Sequence, residues 1–360
     1  MTGSATAAAL TTATPTASAG MIASAAPAPA AAATAATATS GSRPGATTAR
    51  GRALVAGLLP AAADLGARLG GEVDDPASFV PTLRAGFTSL ADPDYRAGQE
   101  FVAPGIGPLL GVRRPLAQAT WRSLRRQLGG VRPATLLLLA DALLREPLLE
   151  LRWFALPILA RILPDDPERA WQLLRRAARG ASDWITVDQL AHPWAAGILL
   201  EAYRWAELEQ LVYSPSTWER RLVGATIATL PFVDRLAGRS PEVARRALPL
   251  LEELVGDAEP DVQRALSWAF RSLTLVDPDA VAAFCEHQAL LAAATGDGHR
   301  AWVVREALPK LDPDRAARLR ERLDGLRRRP GAPSTSRAAM IAARFGELPD
   351  PRRQPEPPLI

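Results

Sequence analysis

Aromatic rings and charged groups recur together in three short segments of this sequence. Trp184 and Asp188 are four residues apart, a separation that makes two side chains neighbours on one face of a helix. The two later segments are Trp218–Arg221 and Arg264–Trp268. A carboxylate beside indole faces suits the binding of a cation, because the carboxylate supplies the opposite charge and each indole attracts a cation by about 0.5 to 2 kcal/mol. We therefore predict that the three segments form one site.

The order of these segments along the chain resembles the pattern of a known family. In the AlkD-like family of DNA alkylation repair glycosylases, Trp-x-x-x-Asp, Trp-x-x-Arg and Lys-Ala-x-x-Trp-x-x-Arg segments follow one another on helical repeats related to HEAT repeats. The matching segments here are Asp183–Leu190, Thr217–Arg221 and Val262–Arg271. The resemblance covers residues 95–310.

The resemblance implies which residues surround the reacting atoms. Asp188 matches the family's catalytic carboxylate, and Trp184 and Trp268 match its aromatic walls. The segment from Tyr95 to Gly111 matches an early Tyr- and Gly-containing stretch of the family with altered spacing. The sequence therefore leaves open whether Tyr95 supplies a third wall.

The resemblance also implies a set of DNA-binding arginines. Arg221 matches the residue that contacts the DNA backbone beside the lesion, and Arg220 is a second candidate for that contact. Arg264, at a position that is usually Lys, and Arg271 complete the expected set. Ile185 is a further departure, since the family often has Asp there.

The expected chemistry follows from the charge of an alkylated base. A purine alkylated at N3 or N7 is positively charged and is therefore already a good leaving group. The enzyme has to stabilise the cationic sugar that forms, and a carboxylate beside the sugar does so while it orients water. We expect a monofunctional DNA glycosylase, with neither metal nor cofactor, that releases 3-methyladenine, 7-methylguanine and bulkier adducts from duplex DNA. The resemblance implies that it does so without deep base flipping.

A second interpretation keeps the same helices without catalysis. A HEAT-like scaffold can bind DNA or a protein partner through one face, because a fold alone does not decide function. Trp184 and Trp268 would then pack in the core, and Asp188 would only pair with an arginine of a neighbouring repeat. We assign to packing the remaining tryptophans, which are Trp121, Trp153, Trp171, Trp194, Trp205, Trp218 and Trp302.

The elements that position these residues are predicted to be helices. The chain of 360 residues has 3 Tyr and 8 Phe and is rich in Ala, Leu and Arg, which favours helix over strand. Helix pairs begin about every 32 to 43 residues, a period typical of two-helix repeats. We predict an all-α, right-handed solenoid of HEAT-like helix pairs with a concave DNA-binding face. Helix starts are expected at Asp166-Pro167, Ser240-Pro241 and Asp277-Pro278, where a capping side chain precedes proline.

Composition divides the chain into three parts. Residues 1–50 are almost wholly Ala, Thr, Ser, Gly and Pro and are predicted to be a disordered tail. Residues 51–328 are predicted to form a single helical-repeat domain, with an irregular connection over residues 92–114. Residues 329–360 are predicted to be a flexible Arg- and Pro-rich tail with a short helix at 335–345. We expect no membrane-spanning segment and a monomeric protein.

The basic residues are nearly all arginine, and the net charge is +4. Arginines outnumber acids between Arg113 and Arg179, and each one that meets a phosphate adds salt-sensitive binding. Solvated helical faces explain the same pattern equally well. Cys285, the single cysteine, excludes an internal disulfide and a cysteine-based zinc site. A reducing cytoplasm fits this cysteine content.

Overall fold

The computed structural model describes residues 44–345 of the chain, and every regular element in that range is a helix. Sixteen α-helices follow one another within these residues. They are α1 Pro44–Leu69, α2 Pro76–Ser89, α3 Pro93–Val102, α4 Arg114–Gln127, α5 Pro133–Leu144, α6 Leu149–Ile162, α7 Pro167–Arg179, α8 Trp184–Leu200, α9 Trp205–Val212, α10 Thr217–Val233, α11 Pro241–Leu254, α12 Pro260–Leu273, α13 Pro278–Thr295, α14 Gly298–Ala307, α15 Pro313–Arg322 and α16 Arg337–Ala342.

The helices stack in two layers. Helices α4, α6, α8, α10, α12 and α14 pack on one another in this order, and we call them the even layer. On the other side α2, α5 and α7 pack in sequence, as do α9, α11, α13 and α15. Each repeat therefore supplies one helix to each layer, which confirms the all-α helical-repeat solenoid.

Helix starts are fixed by local capping. At α7, α11 and α13 the predicted residues Asp166, Ser240 and Asp277 accept hydrogen bonds from backbone N–H groups of the first turn, and proline follows each. A capping oxygen satisfies a donor that the helix itself leaves unpaired, and proline lacks that donor. The same signal begins α3, where Asp92 caps and Pro93 follows. The prediction of an irregular connection over residues 92–114 was therefore wrong for α3.

The segment after α15 is packed on the repeats rather than flexible from residue 329 as predicted. The Ser334 hydroxyl accepts a hydrogen bond of 2.8 Å from the backbone N–H of Ala258, and the backbone N–H of Thr335 donates to the Gly256 carbonyl at 2.9 Å. The short helix expected at 335–345 is present as α16. The predictions for residues 1–43 and 346–360 lie outside the described residues.

Helix α1 differs from expectation in its apolar character. The stretch Thr48–Glu72, which includes most of α1 and the turn after it, is long and apolar enough to cross a membrane by length and composition, whereas we expected no such segment. One face of α1 packs on α4, with Leu65 and Leu69 buried. Length and composition alone do not distinguish a membrane span from a helix of a folded domain, and 22% of the apolar window is buried in the fold.

Helix α10 lies between α8 and α12, and its side chains from Arg220 to Pro231 are all buried. The exposed side chains of this part of the even layer therefore come from α8 and α12. Small residues allow the close packing, and Gly224 lies at the contact with α12. A β-carbon there would lie 2.9 Å from the carbonyl carbon of Ala265 and 3.0 Å from the nitrogen of Leu266.

This contact predicts a stability difference between two helical glycines. Gly224→Ala should lower the free energy of unfolding by about 1 to 3 kcal/mol, because the opposing atoms are backbone and cannot move aside. Gly57→Ala is the matched control, since nothing lies within 4 Å of a β-carbon at that site. The control should raise the free energy of unfolding by up to about 1 kcal/mol through helix propensity. Urea unfolding measures both, and equal effects would contradict tight packing of α10 on α12.

Candidate functional site

Buried hydrogen bonds fix the first turn of α8. Asp183 caps this helix, and its carboxylate accepts from both the backbone N–H and the hydroxyl of Thr186, each at 2.7 Å. The Trp153 indole of α6 donates to the same hydroxyl oxygen at 3.0 Å. Asp183 and Thr186 are buried. The chain of bonds therefore sets the position of α8 against α6, and with it the positions of Trp184 and Asp188.

Arg221 of α10 connects α8 to α12. Its Nη2 donates to the two carboxylate oxygens of Asp188 at 2.9 and 3.0 Å, and its Nε donates at 3.2 Å. Its Nη1 donates to the backbone carbonyl of Asp261 at 2.7 Å. The Arg221 side chain is 5% exposed, whereas that of Asp188 is 26% exposed. Arg221 therefore holds the Asp188 carboxylate in a fixed position, while part of the Asp188 side chain remains accessible to solvent.

Trp184 lies beside this ion pair. The guanidinium carbon of Arg221 is 5.8 Å from the centre of the Trp184 ring, and the indole N–H donates to the Val102 carbonyl at 3.2 Å. The Trp184 side chain remains partly exposed. The structure therefore brings together Trp184, Asp188 and Arg221, and it adds the end of α3 to their surroundings.

Burial dominates the electrostatics of Asp188. Burial raises the pKa of its carboxyl group, and Arg221 opposes this through its charge and hydrogen bonds. The negative charges of Asp261 and Asp183 raise the pKa further. A raised pKa means that the carboxylate is poorly stabilised by its surroundings. A cation placed next to it would therefore gain more energy than it would beside a solvated carboxylate.

The exposed face of α12 carries the third predicted segment. Asp261, Arg264, Trp268 and Arg271 follow at helical spacing on this face and are all at least partly exposed. Arg264 pairs with Asp261 at 3.0 Å, and Arg271 donates to the Glu306 carbonyl at 3.0 Å. Trp268 packs partly against the core. Within the described chain Trp268 makes no ring contact with the α8 residues, and α10 lies between its helix and α8.

The two consecutive arginines of α10 differ from the expected DNA contacts. Arg220 is buried, and its Nε donates to Asp257 at 2.8 Å. Its Nη1 donates to the backbone carbonyls of Ser214 and Pro215. This guanidinium cannot reach a phosphate without breaking buried bonds, so the geometry does not support Arg220 as a DNA contact. Arg221 is likewise directed inward, and its contacts indicate that it positions Asp188.

Asp261 is a site residue that sequence reasoning missed. Its Oδ1 lies 3.7 Å from Arg221 Nη1, and its side chain is 26% exposed, as is that of Asp188. Asp261 precedes Arg264 by three residues and Trp268 by seven. That helical spacing was visible in the sequence and places all three on one face.

Tyr95 packs against Arg113 rather than against the tryptophans. The Arg113 guanidinium carbon is 4.9 Å from the Tyr95 ring centre, and its Nε donates to Asp92 at 2.6 Å. The buried carboxylate of Glu150 accepts from the backbone N–H groups of residues 110–112. These contacts hold α3 and the following loop beside α6. Within the described residues, α3 reaches Trp184 through Val102 and not through Tyr95.

No group of three or more His, Cys, Asp or Glu side chains that could hold a metal ion occurs among the described residues. Cys285 is buried, and burial raises the pKa of its thiol to about 12. This thiol is therefore neutral at physiological pH.

The buried ion pair of Arg220 with Asp257 predicts that loss of this arginine destabilises the fold. Arg220→Met should lower the free energy of unfolding by about 3 to 5 kcal/mol, because Asp257, which is 0% exposed, would remain buried without its partner. Arg264→Met is the control, since its ion pair with Asp261 is solvent-exposed and should contribute at most about 1 kcal/mol. Chemical unfolding of both variants checks the difference. Similar losses in the two would contradict a structural role specific to Arg220.

Comparison with known proteins identifies the family. The family model described as "DNA alkylation repair enzyme" matches residues 83–311, which include helices α3 to α14 and therefore the whole of the site. No curated protein and no solved structure matches the chain significantly. The family match covers more than half of the 360 residues. The chain belongs to the DNA alkylation repair enzyme family.

Proposed function

We propose that this protein is a monofunctional DNA glycosylase that hydrolyses the N-glycosidic bond of cationic N3- or N7-alkylated purines in duplex DNA. The family supports an enzyme of DNA alkylation repair. The observation that carries the finer proposal is the Asp188 carboxylate, which Arg221 holds in place and which stays 26% exposed beside Trp184.

The proposed reaction needs one charge-stabilising group and one water molecule. The bond between the sugar C1′ and the base nitrogen breaks, and its electron pair neutralises the cationic base. The positive charge passes to the deoxyribose, where the Asp188 carboxylate stabilises it. Water then adds to C1′ and releases a proton, which leaves a neutral alkylated base and an abasic sugar.

The tryptophans contribute attraction for the same cation. The partly exposed Trp184 ring stands one helical turn before Asp188, so a cation beside the carboxylate can also contact the indole face. Trp268 would face it from α12. Since the cationic base departs readily, the enzyme does not have to enclose it, and bulky adducts belong to the proposed substrates.

The ion pair of Asp188 with Arg221 also fits the alternative, a non-catalytic DNA- or protein-binding scaffold. In that case the pair would serve only to join α8 to α10. Loss of chemistry without loss of folding separates the two interpretations, because a structural ion pair affects stability alone.

Asp188→Asn should reduce the single-turnover release of 7-methylguanine and 3-methyladenine from methylated duplex DNA by about 100-fold or more. Asp261→Asn is the matched control, because this carboxylate has the same exposed fraction and also neighbours Arg221. The control should keep its rate within about tenfold of the wild-type rate. Released bases are measured by chromatography, and circular dichroism checks folding.

Two outcomes would contradict the proposal. Equal losses in Asp188→Asn and Asp261→Asn would remove the special role of Asp188. If the wild type releases neither methylated purines nor bulkier cationic adducts above the spontaneous rate, the proposed glycosylase function is wrong and the result supports the non-catalytic scaffold.

The raised pKa of Asp188 predicts the acid limb of the pH profile. The carboxyl group has to be ionised to stabilise a cation, so the enzymatic rate falls as the pH drops through this pKa. Because burial raises the pKa, the limb should lie above the usual Asp range. In Arg221→Gln the partner that lowers the pKa is gone, so the limb should move to higher pH.

The measurement is base release against pH after subtraction of the spontaneous rate at each pH. Arg175→Gln on α7 is the control, since Arg175 pairs with Glu207 at 3.3 Å and does not contact the site residues described above. Its limb should coincide with that of the wild type. A limb that stays in place or moves to lower pH in Arg221→Gln would show that Asp188 does not set it.

A further inference from the structure

Among the arginines between Arg113 and Arg179, those of α7 and α4 differ in their partners. Three on α7 each pair with a carboxylate, namely Arg169, Arg175 and Arg176. Four on α4 are exposed, and they form no ion pair or hydrogen bond with any side chain of residues 48–345, namely Arg114, Arg122, Arg125 and Arg126. Helix α4 contains no acidic residue. Its positive charge is therefore left uncompensated within its own helix.

The four arginines occupy one face of α4. With 3.6 residues per turn they lie within about a third of the helix circumference. Leu116 and Leu124 are buried on the opposite face, and the buried Trp121 contacts Phe154 of α6. The core contacts therefore hold the arginine face outward. The row is about 18 Å long at a rise of about 1.5 Å per residue.

Helix stabilisation does not account for this row. Arg125 and Arg126 lie in the last turn, where a positive charge interacts favourably with the helix dipole. Arg114, however, is the first residue of α4, where the same dipole makes a positive charge unfavourable. Arg122 lies in between. The row extends from the N-terminal end of α4, where the dipole disfavours positive charge, to the C-terminal end, where it favours it. The dipole therefore does not explain all four arginines, whereas binding of an external anion would.

Helix α4 belongs to the same layer as the candidate site, since α4 packs on α6 and α6 packs on α8. Burial and, to a smaller extent, the charge of Arg114 lower the pKa of His192 on α8. His192 is one helical turn after Asp188 on the same face. A DNA strand that passes Asp188 could therefore continue along α4. Phosphates advance by about 3.4 Å per base pair on each strand, so the length of the row corresponds to about five base pairs.

We propose that Arg114, Arg122, Arg125 and Arg126 form a phosphate-binding row that holds duplex DNA beside the reaction centre, whether or not the DNA carries a lesion. Arginine suits this role because its planar guanidinium donates two parallel hydrogen bonds to a phosphate. This proposal rests on the DNA substrate of the proposed function, but it does not depend on the chemistry at Asp188.

The test compares two triple variants of equal charge change in the full chain. The first is Arg122→Gln, Arg125→Gln and Arg126→Gln on α4, and the matched control is Arg169→Gln, Arg175→Gln and Arg176→Gln on α7. Binding of an undamaged duplex oligonucleotide is measured by fluorescence anisotropy at several salt concentrations. Each phosphate contact contributes about 0.9 to the slope of log K against log salt. The α4 variant should therefore lose about 2 to 3 from the magnitude of this slope, while the α7 control should keep the wild-type slope.

Thermal melting shows whether both triple variants are folded. If the α4 triple variant is unfolded, the single variant Arg122→Gln replaces it, and the expected loss in the magnitude of the slope is then about 0.9. A slope unchanged in the α4 variants, or reduced equally in the α7 control, would overturn the proposal. Because the probe is undamaged DNA, a wild type without base release leaves this test intact. Conversely, if the wild type releases bases normally and the slope is unchanged in the α4 variants, the phosphate-binding role of the row is wrong but the glycosylase function stands.

Discussion

The buried guanidinium of Arg221 is the constraint on which the candidate site depends. Its donors are divided between the Asp188 carboxylate of α8 and a backbone carbonyl of α12. A buried charge that loses its partners costs several kcal/mol, so neither neighbouring helix can shift freely. Since Arg221 belongs to the helix between them, one side chain fixes the relative positions of three successive even-layer helices. The small residues of α10 make this possible because they bring both helices close.

The same arginine that holds Asp188 also neutralises part of its charge. A carboxylate fully compensated by one guanidinium would offer little attraction to a cationic sugar. Here burial outweighs Arg221 and raises the pKa of Asp188, and the charges of Asp261 and Asp183 act in the same direction. The site therefore has an excess of negative charge around a fixed positive one. Such a preorganised charge needs little reorganisation when a cation develops beside it.

Local signals made much of the fold predictable from the sequence. The bounds of α7 and α8 follow from capping residues and apolar periodicity, and the structure places Trp184, Asp188 and Arg221 of the motif side by side. Helix α3 was missed because Gly and Pro in its neighbourhood outweighed the Asp92-Pro93 start. The packing of the segment after α15 depends on bonds to residues 256–258, which are distant in sequence and leave no local pattern.

The roles of Arg220 and Arg221 show where sequence reasoning reaches its limit. The two residues are adjacent, both are buried, and the motif alone does not distinguish them. Their side chains leave the helix about 100° apart, so each meets a different acid, Asp257 or Asp188. Those acids lie in other parts of the chain, and only the packing of the repeats decides which arginine reaches the site.

The distribution of arginine also reconciles a modest net charge with a DNA-binding role. On α7 three of the four arginines pair with neighbouring carboxylates, and on α10 both arginines are buried in ion pairs. The α4 arginines remain uncompensated on one exposed face. A net charge of +4 therefore understates the local field, because the attraction for a phosphate backbone depends on unpaired charges within about 10 Å and not on the sum over the chain.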